Sequence, residues 1–186
     1  MTMTAPNENL TALSGRIHLQ LRNAGVMDWS GDGLPHALLN LHAHVSCISR
    51  ADRDAIPAAL GYFAVMLIDT AECYAPGTLE AACAQECPLG SAALPGGVTL
   101  ESLATLDAAQ DLLVWHQYLS DCAYTYWPEG QAYPGGEELR PSGLTTVLPL
   151  ARLIGSVARA LALLGRHPQH AVMKALQSDS LSGMQA

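Results

Sequence analysis

The sequence predicts an all-α fold, a helical bundle. Apolar residues recur at helical spacing in most segments, and no segment alternates with period two for long enough to read as a strand. Apolar residues make up 49% of the chain against 14% charged, enough to bury a sizeable core. Leu10, Leu13, Ile17 and Leu21 mark one face of a first helix, which Gly25 can end in a left-handed conformation. Met27 to Gly33 is a turn-rich linker. Pro35 suits the first turn of a second helix, whose buried stripe is Leu38, Leu41, Val45 and Ile48 and which ends near Arg50. Asp52 or Asp54 can cap a third helix carrying Ile56, Leu60, Phe63, Leu67 and Tyr74 on one face. Its run from Tyr62 to Ile68 is apolar nearly all round, which predicts burial on two sides. Pro76-Gly77 stops it, and a short helix from Thr78 to Glu86 follows.

Cys87 to Gly97 reads as a linker. A helical pattern then runs from about Thr99 to Trp127, with the seam Leu112, Trp115, Leu119, Cys122 and Tyr126; Asp107 and Gln110 could form a capping box that divides it into two helices. Pro128 to Ser142 is a loop. Leu150, Leu153, Val157, Leu161 and Leu164 mark a further amphipathic helix closed by Gly165, and Pro168 starts a last one reaching about Gln177. The expected organisation is a flexible N-terminus (1–8), a first helical unit (9–87), a linker (88–98), a second helical unit packed on the first (99–178) and a flexible tail (179–186).

The formal charge is −8, from 17 acidic and 9 basic residues, and Lys174 is the one lysine. So few cations argue against nucleic-acid binding, which rests on neutralising phosphates. The longest apolar stretch, Ala58 to Ile68, is too short for a bilayer core of roughly 30 Å, so no membrane role is expected. The start of the chain has no basic cluster and no apolar h-region, and five cysteines form an odd count without framework spacing. A reducing cytoplasm is the expected compartment.

Two segments align with an offset of 109 residues: Leu38 to Ala51 over Val147 to Ala160. Leu39/Leu148, Leu41/Leu150, Val45/Ile154, Ile48/Val157, Arg50/Arg159 and Ala51/Ala160 agree in identity or type. Each follows an amphipathic helix and a Gly-rich stretch containing a tryptophan, Trp29 or Trp127. Either two Leu/Ala-rich helices match by composition alone, or the chain holds two degenerate copies of a helical unit too small to bury its own faces.

The third helix reads Ala58-Ala59-Leu60-Gly61-Tyr62-Phe63 and continues to Leu67-Ile-Asp69, after an Arg50-x-Asp52 turn. With the Leu-x-x-Leu-x-x-x-Ile pattern of the first helix, this resembles the MazG family of all-α nucleoside triphosphate pyrophosphohydrolases. The likeness covers residues 9 to 85 and, more faintly, 107 to 177. It implies a bundle that binds nucleotides and associates with further copies or with another protein. The family's enzymes hold Mg²⁺ with an ExxE pair on one helix and an ExxD pair on the next. At the matching positions stand His44 and Cys47, then Ala59 and Tyr62; in the second half the ExxE positions carry Leu153 and Ser156. Mg²⁺ requires hard oxygen ligands, so Mg²⁺-dependent hydrolysis is expected to be lost. The fold would then serve nucleotide binding, assembly or regulation. His44, Cys47, Tyr62 and Asp69 are the expected ligand-binding residues, and no catalytic residue or obligatory cofactor is assigned.

Zinc offers a different chemistry. His44 and Cys47 stand at i, i+3, and Cys83 and Cys87 at i, i+4; together they would make a Cys₃His set, although CxxxC is not the usual knuckle spacing. The plainer reading is a polar helix face plus small buried thiols. Asp69 and Glu72, also i, i+3, could share an ion or simply face water. An active hydrolase would have to use His44, Asp69 and Glu72 as non-standard ligands. The aromatic stretch Tyr124 to Tyr133 matches the residue types of binding hot spots and equally those that plug the end of a bundle. If it binds, Tyr124, Trp127 and Tyr133 are the expected partner contacts. With the acidic charge, they would make the chain a small inhibitor or adaptor for a basic protein, with no nucleotide role.

Overall fold

A computed structural model describes residues 8–25, 34–86, 97–104 and 144–177. The expected linkers at 27–33 and 88–96, the helical pattern beyond Ala104 with its Leu112 to Tyr126 seam, the loop at 128–142 and the tail lie outside the described residues. Within them the chain is all-α: α1 (Leu10–Asn23), α2 (Leu34–Arg50), α3 (Ile56–Tyr74), α4 (Leu79–Glu86), α5 (Leu100–Ala104), α6 (Leu144–Leu163) and α7 (Pro168–Gln177).

Leu10, Leu13, Ile17 and Leu21 of α1 are buried as their spacing predicts. The helix is capped by Asn9, whose side-chain oxygen accepts from the Ala12 amide at 2.9 Å, and beyond its far end Gly25 takes φ 69°. The start of α3 differs from expectation. Neither Asp52 nor Asp54 caps it with its side chain; the N-cap is Ala55, and the turn is held by the Asp52 carbonyl, which accepts from the amides of Ala55 at 2.8 Å and Ile56 at 3.1 Å. Pro57 sits in the first turn, where a missing N–H costs nothing. α5 opens with a reciprocal cap. The Ser102 amide donates to Thr99 Oγ1 at 3.1 Å, and the Thr99 amide donates to Ser102 Oγ at 2.9 Å. α6 starts at Leu144, earlier than its apolar pattern indicates, and carries Pro149 inside it.

α3 is the axis of the fold. α1, α2, α6 and α7 all pack against it, and every residue from Phe63 to Ala71 is buried, as the all-round apolar run predicts. It is long and apolar enough to cross a membrane, but 61% of that stretch is buried inside the protein, the pattern of a core helix. α6 packs on α3, α4, α5 and α7, and the buried residues of all seven helices join one hydrophobic core. The end of the segment expected to be a linker is anchored to the first helices: Val98 is buried and its carbonyl accepts from the Leu10 amide at 2.8 Å.

Two glycines shape the end of the molecule where α7 crosses α3. At Gly165 (φ 68°) the chain closes α6 with a Schellman-type turn, the Arg166 amide donating to the Leu161 carbonyl at 2.9 Å, and α7 departs at 101°. That turn lays α7 across α3 at Gly61, where a Cβ would come within 2.7 Å of the Ala171 carbonyl oxygen. Only a residue without a side chain allows this crossing.

Candidate functional site

The site is built from three walls. The i, i+3 spacing puts His44 and Cys47 on one face of α2. Residues 51–55 reverse the chain so that α2 and α3 pack as a hairpin, and the same spacing brings Ala59 and Tyr62 of α3 onto the facing wall. α7 and the residues just before it supply the third: His167, His170 and Lys174, at i, i+3 and i+7, form one stripe, preceded by Arg166. Between these walls lies a cleft of about 600 Å³. Thus the four first-half positions that the family resemblance pairs with metal carboxylates line a single cleft, whereas the second-half positions, Leu153 and Ser156, are buried outside it.

His44 is 7% exposed, and its ring lies 5.2 Å from that of Tyr62 at a 58° tilt. Burial lowers the His44 pKa from the usual 6.5, so the imidazole is neutral near pH 7. Burial, and secondarily the charge of a Cys47 thiolate, push the Tyr62 hydroxyl above its usual 10.0, so it keeps its proton. These two offer neutral donors, acceptors and ring faces. The fixed charge comes from the exposed Arg166 and Lys174, opposed by the exposed Asp54 in the turn before α3. His167 is oriented from outside the cleft: Glu101 of α5 accepts from His167 Nδ1 at 2.8 Å, and the same oxygen accepts from the Gln169 amide at 2.8 Å. Glu101 thereby fixes the first turn of α7 and satisfies one of its orphan amides.

Mg²⁺ does not fit this cleft. Asp54 is the one carboxylate among its described lining residues, and an octahedral oxygen shell needs more than that.

The expected residues are only partly brought together. His44, Cys47 and Tyr62 share the cleft; Asp69 does not. It lies two turns further along α3, where His18 of α1 closes over it with Nδ1 at 2.8 Å from the carboxylate. Nor do Asp69 and Glu72 act as a pair. Glu72 accepts from Ser14 Oγ at 3.0 Å and from the Gly77 amide at 3.2 Å, which ties the end of α3 to α1 and to the Pro76-Gly77 stop. The described members of the Cys₃His set are not assembled. Cys47 is exposed at the cleft, Cys83 is fully buried in the core on α4, and Cys87 lies outside the described residues. Among the described residues, the metal-ligating side chains that do converge are His18, Asp69 and Cys73. Tyr124, Trp127 and Tyr133 also lie outside the described residues.

The basic stripe on α7 was missed by the reading of the sequence. Its signal was present: Arg166, His170 and Lys174 repeat every four residues in a chain with only nine Lys and Arg. No protein-family model, curated protein or solved structure matches this chain.

Proposed function

We propose that this protein binds a phosphorylated small molecule of nucleotide size in the cleft between α2, α3 and α7, as a MazG-like cytoplasmic protein without Mg²⁺-dependent pyrophosphohydrolase activity. One observation carries the reading. The four positions in the first half that the resemblance pairs with metal carboxylates, His44, Cys47, Ala59 and Tyr62, face the same cleft as the cationic Arg166 and Lys174. An enzyme that bridges phosphates through Mg²⁺ needs acidic walls. A wall of imidazole, phenol, guanidinium and ammonium meets phosphate oxygens directly. The tilted His44 and Tyr62 rings offer apolar faces to a base or similar ring. A volume of about 600 Å³ is in the usual range for small-molecule sites.

Thermal unfolding against a panel of nucleoside mono-, di- and triphosphates, with and without EDTA, tests the proposal. A ligand at about 100 times its Kd adds about 2.7 kcal/mol, several degrees for a chain of this size. The expected result is a shift that survives EDTA and disappears in the Arg166→Gln/Lys174→Gln double variant. A shift that requires Mg²⁺ would sink the direct-contact reading. No shift with any phosphorylated ligand would sink the nucleotide reading altogether and favour the acidic adaptor instead.

A further inference from the structure

On the α1 side of α3, two turns along from the cleft, three side chains converge from two helices some fifty residues apart in the chain. His18 of α1 meets Asp69 and Cys73, which stand at i, i+4 on α3 and so lie one above the other on its surface. His18 Nδ1 is 2.8 Å from Asp69 Oδ1 and 3.7 Å from Cys73 Sγ, and all three ligand atoms lie within 4.8 Å of one another. We infer that His18, Asp69 and Cys73 form a binding site for a transition-metal ion of the Zn²⁺ class, separate from the cleft.

The arrangement suits coordination better than it suits a nucleophilic triad. A Cys-His-Asp relay uses the two ring nitrogens separately, one for the thiol and one for the carboxylate. Here both meet Nδ1, while Nε2 accepts from Arg22 Nε at 3.2 Å. Convergence on a single point is what a metal requires. For tetrahedral zinc, with bonds of about 2.0 Å to nitrogen and oxygen and about 2.3 Å to sulfur, neighbouring ligand atoms stand about 3.3–3.5 Å apart. The two distances from Nδ1 differ from that by roughly half an ångström or less, within the reach of small side-chain rotations. The donors also select the ion: thiolate and imidazole favour Zn²⁺ or Co²⁺ over Mg²⁺ or Ca²⁺. The Asp69 side chain is only 5% exposed, so a carboxylate sits in a place where an anion gains from a cation at close range. His18 and Cys73 are half-buried, which leaves a path from solvent and a fourth position for water. On binding, the Cys73 thiol releases its proton to solvent. The ring proton of His18 moves from Nδ1 to Nε2, and the exposed side chain of Arg22 turns to water.

The probe is Co²⁺, titrated into the full chain after stripping with EDTA. The site takes up about one equivalent, with tetrahedral visible bands and a thiolate-to-metal charge-transfer band in the near ultraviolet, and Zn²⁺ displaces it. Cys73→Ser abolishes the charge-transfer band, His18→Gln weakens uptake by at least about tenfold, and Cys47→Ser changes neither. No stoichiometric uptake, or a charge-transfer band that persists in Cys73→Ser, overturns the inference. A second measurement needs no variant: with Zn²⁺ present, Cys73 in the unaltered protein resists alkylation, followed by mass-mapped peptides. Equal labelling with and without Zn²⁺ overturns it as well. Arg166→Gln leaves Co²⁺ uptake unchanged, so failure here is distinct from failure of the cleft proposal.

Discussion

α2 and α6 present the same triplet to the core. Leu41, Val45 and Ile48 on one, and Leu150, Ile154 and Val157 on the other, are all buried, and both helices pack on α3. They part company at the positions beside that stripe. α6 is surrounded by α3, α4, α5 and α7, and its Leu153 and Ser156 are buried, the serine hydroxyl donating back to the Arg152 carbonyl at 3.1 Å. Among the described residues α2 packs chiefly on α3, and its matching residues, His44 and Cys47, line the cleft. One apolar pattern can thus serve a fully enclosed helix or one that borders a cleft. The residues that flank the shared stripe mark the difference.

Reciprocal swaps would break this comparison most sharply. Leu153→His forces an imidazole into a fully enclosed position and should cost about 3–5 kcal/mol, read by urea unfolding. His44→Leu should change stability by no more than about 1 kcal/mol while weakening ligand binding in the cleft. Equal costs for the two swaps would remove the distinction between the helices. Next in size is Gly61→Ala. The added methyl meets the Ala171 carbonyl oxygen at 2.7 Å, so α7 must move, at about 1–3 kcal/mol. Thermal melts should show the loss, and ligand affinity should fall with it because α7 carries the cationic wall.

A smaller effect is expected at Glu80 on α4. Burial raises its pKa, but hydrogen bonds from Thr11 Oγ1, the Val98 amide and the Thr11 amide outweigh that and hold the carboxyl below the usual 4.5. Its stabilisation is therefore complete above that value and is lost as the pH falls through the folded-state pKa. Glu80→Gln should cost about 1 kcal/mol at neutral pH and less in acid, seen by unfolding at a series of pH values. The smallest effect separates α2 from α6 by titration. His44 has a folded-state pKa below 6.5, so the unfolded chain takes up a proton first, and stability declines as the pH drops below 6.5. His44→Leu should flatten that decline; an unchanged slope would show that His44 is not the group responsible.

Much of the fold was legible because it depends on short-range periodicity. The stripe of α1, the Leu41, Val45 and Ile48 part of that of α2, the all-round burial of α3 and the stops at Gly25, Pro76-Gly77 and Gly165 follow from local spacing alone. The stripe of α6 holds from Leu150 to Leu161, but Leu164, expected to continue it, lies beyond the helix and is exposed. Caps were less legible: Asn9 and the Thr99/Ser102 pair hold α1 and α5, whereas Asp52 and Asp54 look like caps and serve only through the backbone or not at all. The site was half legible. His44, Cys47 and Tyr62 were grouped by the family resemblance, and the hairpin of α2 and α3 brings them together. Their opposite wall, on α7, comes from more than a hundred residues away, and no spacing rule reaches that far. The meeting of His18 with Asp69 and Cys73 is hidden for the same reason. It depends on how α1 is rolled against α3, which the core residues of both helices settle jointly.

The crossing at Gly61 and Ala171 also bears on the order in which the molecule assembles. These two residues are about 110 positions apart, so their contact closes one of the longest loops in the chain and belongs among the late events of folding. Helices and much of the core can form before that closure, but the cleft cannot, since one wall is still elsewhere. Competence to bind should therefore return after helical circular dichroism during refolding. A bound ligand, touching both walls, would act as a clasp that slows the first step of opening.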